Sequence, residues 1–397
     1  MGDANTIGQR VARSRKLRDL NQEQLAARMH VSKSLVAQVE RGHNPATHAF
    51  ITAAANSLNV DITELTGQPY RGRTAASDRI HAAIPEIRQA VAYWDVAPEL
   101  DTPPRPLAEL AANVARVGQL RMEASYVQLG ALLPDLIKEL TAHVHEVTGA
   151  KQAHAFRLLA EVYTAVDSMA YKLGYMDLFA LSVERMAWAA ARSDDPLLRP
   201  VAAMRRSSVF LSTGGWDGGI TLLARAGHEI DQDQHDHATL SVSGTIHLRS
   251  AILSARANRP SSAWDSIGQA AEVSARLGRD TRDYGLLFGP TNVAIHGVAV
   301  AVELGDADEA VRRGDDLELP EDLPRERSSH HFIDLSRAWL WQGRPDKALT
   351  CVTRAERLAP QRTRYHPMAR QTVMQLLDHQ RRLPELLRGV ATRMGIT

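Results

Sequence analysis

Two sets of residues in this 397-residue chain have the types and spacing for chemistry. The first is a polar row, Lys33, Ser34 and Gln38, on the outer side of a short segment whose Val36 and Val39 point inward. Gln22 opens the segment before it, where free backbone N–H groups and a helix dipole attract a phosphate. Arg10, Arg13, Arg15, Lys16 and Arg18 crowd the surface of a still earlier helix, as phosphate contacts or as a solvated basic face. The second set lies far downstream. Arg205, Arg249 and His296 occupy one equivalent position in successive helices, with Ser168, Tyr171, Ser208, Asn292, Arg337 and Trp341 as neighbours. A guanidinium presents a planar fork that can clamp a carboxylate or phosphate. Salt bridges within an Arg-rich chain are the alternative reading.

The elements that must hold the first set are short helices with clear ends. Asn21 is a good N-cap, and Gln24 completes a capping-box pattern. Leu25, Ala26 and Met29 face inward. Ser32 caps the next helix, and Gly42, just past Arg41, suits a left-handed stop. Before them Ile7, Val11 and Leu17 share a face, with Leu20 just beyond. After them Pro45 precedes a helix with Phe50, Ile51, Ala54 and Leu58 inward, and Asp61 with Glu64 caps a fifth, ending near Leu65. Two short helices joined by a tight turn rest one helix on a duplex backbone and put the next into the major groove.

Over residues 7–67 this order resembles the Cro and phage-repressor (Xre-type) helix-turn-helix family, through Gln22-Glu23-Gln24-Leu25-Ala26, Ser32-Lys33-Ser34, Glu40-Arg41-Gly42, Pro45 and Leu58-Asn59-Val60. The resemblance implies a recognition helix over Ser32–Arg41 with Lys33, Ser34 and Gln38 reading bases. Gln pairs bidentately with adenine and Lys donates to guanine, each good pair discriminating by about 1–3 kcal/mol. It implies that Gln22, Arg41 and Asn44 hold phosphates and set register. It also implies that Arg15 and Glu40 form a buried ion pair that is structural. Leu35 and Ala37 depart towards apolar residues; Leu35 packs or touches a thymine methyl. Family members usually bind two half-sites as dimers.

Residues 67–73 are a turn-rich, basic break in which Arg71 and Arg73 either reach phosphate or, as the favoured reading, belong to a solvated linker. From about Ser77, Ile80, Ile84, Ile87, Val91 and Trp94 form a heptad-like stripe, either a dimer seam or a face packed on the next domain; Pro85 predicts a kink or late start. Pro98, Pro103, Pro104 and Pro106 then punctuate the chain. Beyond them a helical repeat appears. Leu335, Trp339, Gly343, Ala348, Val352, Ala355 and Pro360 match the tetratricopeptide (TPR) pattern. Weaker copies surround turns at Gly174, Gly214-Gly215, Asn258 and Gly305, with small residues Ala180, Gly219, Ala226, Ala263, Ala270 and Ala310 at the crossings. The interval is about 40 residues, longer than the standard repeat, and stacked pairs form a solenoid with a concave face.

Net charge is +1, so any nucleic-acid binding comes from local placement of basic residues. The single cysteine, Cys351, allows no intrachain disulfide and suits a reducing cytoplasm. No apolar run reaches membrane-spanning length, and no signal peptide is visible. His145-Glu146 and His228-Glu229 lack the second histidine of a zinc-protease helix. Gly214 to Gly219 lacks the Lys-Ser/Thr of a phosphate loop and reads as a turn. The run from Asp231 to His237 reads as a solvated loop rather than a metal site, and His330-His331 is a weaker candidate still. No nucleophile–base constellation appears, so neither an enzyme, a cofactor nor a metal is expected.

The expectation is an all-α protein: a lambda-repressor-like five-helix DNA-binding domain (1–67), a linker and connecting helix (68–105), and a TPR-like α-solenoid (106–397). In plan this resembles helix-turn-helix regulators with TPR-like C-terminal domains, including peptide-sensing quorum regulators. That resemblance implies a cytoplasmic homodimeric transcription regulator on double-stranded DNA with an inverted-repeat operator. Its array would dimerise and sense a peptide or small-molecule effector at Arg205, Arg249, Asn292, His296 and Trp341. The rival is an interaction scaffold whose array recruits a partner protein.

Overall fold

The structure, a computed structural model, describes residues 6–71, 75–230, 236–379 and 384–396. Among them the fold is all-α, and the only strand-like pairing is an isolated antiparallel bridge between Thr281 and Phe288.

Five short helices open the chain: α1 (Ile7–Lys16), α2 (Gln22–Met29), α3 (Lys33–Glu40), α4 (His48–Leu58) and α5 (Ile62–Thr66). Each N-terminus is closed by a side chain that accepts from an otherwise orphaned backbone N–H: Thr6, Asn21, Ser32, Thr47 and Asp61 in turn. Gln9, Gln24 and Glu64 reciprocate as capping boxes. Val11, Leu25, Val36, Ile51, Ala54, Leu58 and Leu65 are fully buried in a shared core. Leu17 departs from the expected inward face. It is the C-cap of α1, one residue past the last helical turn, and stays 73% exposed. Gly8 sets how closely α1 crosses α3: a Cβ there would stand 2.0 Å from the Val39 carbonyl oxygen.

The connecting segment is two helices, α6 (Ala75–Ala82) and α7 (Ile84–Ala92), broken at Ala83 with Pro85 in the first turn of α7. Ile80, Ile84, Ile87 and Val91 are buried on the array, so the stripe is an internal face and not a free dimer seam. Arg71 donates to the Tyr175 hydroxyl (3.3 Å) and Gln68 to the Lys172 carbonyl (3.3 Å), which ties this end of the linker down. Arg73 lies outside the described residues.

Helix pairs follow: α8 (Leu107–Met122) with α9 (Tyr126–Glu146), α10 (Ala150–Leu173) with α11 (Met176–Ala190), and α12 (Leu198–Thr213) with α13 (Trp216–His228). Then come α14 (His237–Arg256) with α15 (Pro260–Leu277), α16 (Pro290–Leu304) with α17 (Ala307–Gly314), and α18 (Arg325–Trp341) with α19 (Pro345–Leu358). The helices α20 (Pro360–Arg364), α21 (Pro367–His379) and α22 (Glu385–Arg393) end the chain. All six pairs turn on a left-handed residue, at Ala124, Gly174, Gly214, Asn258, Gly305 or Gly343. Buried small residues let the paired helices approach: Gly219, Ala226, Ala263, Ala270, Ala310, Ala348 and Ala355. Ala180 is only half-buried and does not serve this purpose, while Leu178 and Phe179 beside it fill the contact.

The array curls until its ends meet. Helix α8 packs against α18, Arg121 donates to the Gly285 carbonyl (2.6 Å), and the Val127 N–H donates to the Gln361 amide oxygen (3.0 Å). Of the Asp231–His237 run, Asp231 to His235 lie outside the described residues, and Asp236 caps α14. No His, Cys, Asp and Glu grouping fit to hold a metal occurs among the described residues. None of the described helices is long and apolar enough to cross a membrane.

Candidate DNA-reading face and enclosed cavity

The polar row lies in water on α3. Lys33, Ser34, Gln38 and Arg41 are exposed, and no other part of the described chain covers them. Ser32 caps the helix by accepting from the Leu35 N–H (3.2 Å). Lys33 makes a loose exposed contact with Glu23 (3.3 Å), and Gln38 donates to the Ser34 hydroxyl (3.2 Å). Both contacts are open to exchange for base edges, since exposed ion pairs contribute roughly 0–1 kcal/mol. Arg41 sits at the C-cap of α3, and the Asn44 N–H donates to the Gln38 carbonyl (3.2 Å), fixing the turn after the helix. Leu35 is half-buried against the domain core.

Gln22 differs from a free phosphate ligand: its amide donates to Glu40 (2.7 Å). The same carboxylate accepts both arms of Arg15, at 2.7 and 2.8 Å, and Arg15 also donates to the Leu20 carbonyl (2.7 Å). The ion pair is bidentate and buried, and it locks α1, α2 and the end of α3 together. Only the backbone N–H groups at the start of α2 remain for a phosphate.

The opposite side of the domain faces inward. His48 at the start of α4 contacts Glu303 of α16 (2.8 Å), and Asn56 donates to the Thr213 carbonyl (3.0 Å). Gln375 of α21 donates to the Gly42 carbonyl (3.4 Å). Helix α4 thereby closes a cavity of about 260 Å³ whose other walls come from the curled array. Arg205, Arg249, Asn292 and His296 all line it, together with Ser168, Tyr171 and Ser208. Trp341 does not. It is the last residue of α18 and packs beside Val298 and Ala301, with Arg337 stacked 5.3 Å from its ring. Arg337 is likewise buried away from the cavity, against Asp334.

The cavity residues fall into committed and uncommitted groups. Arg205 is committed to Asp167, Ser168 and the Thr164 carbonyl (3.2 Å). Glu303 pairs with Arg256 (3.2 Å) as well as His48. Glu326 pairs with Lys172 (2.6 Å) and Arg362 (2.8 Å), and Asp334 with Arg337 and His330 (both 3.4 Å). Burial alone would push Glu303 and Glu326 up, but Arg256 and His48 hold the first well below the carboxylate range, and Arg362 and Lys172 the second. Burial lowers Lys172 to about 7, His48 to about 4 and His296 to about 3.

Sequence reasoning found Arg205, Arg249, Asn292 and His296 by aligning repeats. It missed Arg121, Lys172, Arg256, Arg327, Glu303 and Glu326, and it missed that α4 forms a wall. Glu326-Arg327 at the start of α18 was visible in the sequence, but only the curl that brings α18 to α8 shows what it faces.

Residues 11–65 match the family model described as Helix-turn-helix. The N-terminal domain is an Xre-type helix-turn-helix domain. No curated protein matches the chain. Among solved structures, the chain is similar to Bacillus thuringiensis PlcR in complex with the peptide PapR7 and DNA. That match has 14% identity and a TM-score of 0.35, covering 85% of this chain and 98% of that one. It is similar to BtubC from P. vanneervenii (16% identity, TM-score 0.36, covering 70% and 95%) and to apo ComR from S. thermophilus (13%, 0.22, covering 69% and 95%). Likeness at this level carries no conclusion about what the chain binds.

Proposed function

We propose that the chain is a sequence-specific, DNA-binding transcription regulator. Lys33, Ser34 and Gln38 read bases, Ser32 holds the recognition helix, and the start of α2 with Arg41 and Asn44 sets register on phosphates. Cytoplasmic residence, a homodimer on an inverted repeat, and division into 1–67, 68–105 and 106–397 belong to the same reading. The observation that carries it is the exposed polar face of α3, left uncovered while α4 of the same domain is docked on the array.

We further infer that the array senses an effector in the cavity closed by α4. A ligand there contacts the reader domain and the array together. It can shift their relative placement only by binding one placement better than the other.

A gel shift with DNA from upstream of the chain's own operon tests the first proposal. Lys33→Ala/Gln38→Ala is expected to lose sequence-specific binding by at least about tenfold, from one lost base pair alone. Unchanged binding removes the base-reading assignment. Failure of the unmutated chain to prefer any duplex favours the scaffold reading.

A further inference from the structure

The effector reading leaves open what the cavity takes, and its charge balance narrows the choice. Every carboxylate lining it is already engaged: Asp167 by Arg205, Glu303 by Arg256 and His48, Glu326 by Lys172 and Arg362, Asp334 by Arg337 and His330. Three lining arginines remain without one. The Arg121 guanidinium donates only to the Gly285 carbonyl, and the guanidinium groups of Arg249 and Arg327 make no hydrogen bond or ion pair among the described residues, with Glu326 and Asp334 acting on Arg327 only from beyond contact distance. The Arg327 Nε and the Asn292 Oδ1 are buried with no partner. Arg249 and Arg327 sit close enough to repel each other, and both repel a proton on His296. A guanidinium cannot shed its charge as a lysine does, so an unpaired pair in a cavity wall calls for an anion. The same cavity is also lined by apolar side chains, Met176, Phe179, Met204, Ile252 and Leu286.

We propose that this cavity binds a small organic anion, its carboxylate or phosphate head held by Arg249 and Arg327 and its apolar body lying against Phe179, Ile252 and Leu286. The proposal rests on the effector reading for its purpose but not for its chemistry. A cavity of about 260 Å³ has room for a compact molecule. Arg205, committed to Asp167, orients the wall and supplies background positive charge.

The test uses the full chain in thermal-shift titrations at fixed ionic strength, with inorganic phosphate, citrate and octanoate as probes and chloride as the reference. A saturable rise in Tm of about 3 °C or more at high occupancy is expected from at least one probe. Phosphate or citrate acting alone identifies a polyanionic head, and octanoate acting alone identifies a carboxylate on an apolar body. Arg249→Gln is expected to raise Tm without any probe, by removing a cation that no carboxylate compensates, and Arg249→Gln and Arg327→Gln are each expected to abolish the saturable shift. Arg312→Gln, on an exposed helix surface, is expected to change neither. No saturable shift with any probe, or a shift that survives both cavity variants, overturns the proposal. DNA binding measured with and without the active probe then separates the two levels. A probe that binds through Arg249 and leaves DNA affinity unchanged sinks the regulatory reading while the anion site stands.

Discussion

Helices α3 and α4 belong to one small domain and share its core, yet their outer faces meet different surroundings. Helix α3 keeps Lys33, Ser34 and Gln38 in water, with contacts weak enough to be exchanged. Helix α4 presses His48 onto Glu303, which Arg256 grips from the other side. One face is held free for an outside partner; the other is spent on the array. Under the proposed function, the difference separates two jobs that a single rigid domain would perform, contact with a duplex and receipt of a signal from the rest of the chain. Because the reading face is uncovered, control cannot consist of unmasking α3. Under the proposed function it would act on where the domain stands relative to the array or to a second copy.

The sharpest way to break the comparison is to remove what makes the domain rigid. Glu40→Ala strands Arg15 in the core and frees Gln22, and is expected to destabilise the five-helix domain by about 3 kcal/mol or more. Urea unfolding followed by amide exchange in α1–α5 measures this. A loss below about 1 kcal/mol would mean that the two faces are not mechanically joined through that pair.

Next in size is the docked face. Glu303→Ala leaves Arg256 and His48 without their carboxylate and is expected to weaken docking by about 2–3 kcal/mol. Limited proteolysis near residues 67–73 should accelerate roughly tenfold or more while the far-ultraviolet dichroism stays helical, since the linker contacts at Gln68 and Arg71 loosen with it. Unchanged cleavage would show that α4 rests on the array without being held by it.

How much of this was legible in the sequence differs between the same two regions. The reader domain could be placed residue by residue because its signals are local. Asn21 with Gln24, Ser32, and Asp61 with Glu64 each name a helix start within a few positions. Leu17 failed because a stripe says nothing about where the helix ends. The array obeys a repeat, so aligning its turns brought Arg205, Arg249 and His296 to one wall. Yet Asp167, the partner of Arg205, lies on a different helix, and no period encodes that. Trp341 failed for a related reason. It follows the repeat onto the end of α18, beyond the part that faces the cavity.

A smaller effect tests α3 itself. Arg41→Ala should weaken binding of the chain to all duplexes alike and reduce the magnitude of the log–log salt slope by about 1, whereas Lys33→Ala should change which sequence is preferred. Thermal stability should move by no more than about 0.5 kcal/mol in either variant, since both side chains are exposed. A sequence preference that changes with Arg41 and not with Lys33 would exchange their roles.

The smallest effect is set by pH, and it acts on α4 alone. Burial holds docked His48 near 4, with Arg256 adding to the drop and Glu303 opposing it. Released into water, the ring titrates near its ordinary 6.5. Between these values the released form binds a proton that the docked form refuses. Docking is therefore strongest above pH 6.5 and weakens as pH falls towards 4. By pH 5.5 the loss is about 1 kcal/mol. Asp334, which burial raises to about 6, works in the opposite direction on the array itself, because its folded form keeps a proton that the unfolded form releases. Amide exchange in α4 separates the two: faster exchange at pH 5.5 than at 7.5, after correction for the intrinsic rate, is expected there and not in α10. His48→Gln should flatten the dependence in α4. If α4 exchanges no faster at the lower pH, His48 is not the group that fastens the reader domain to the array.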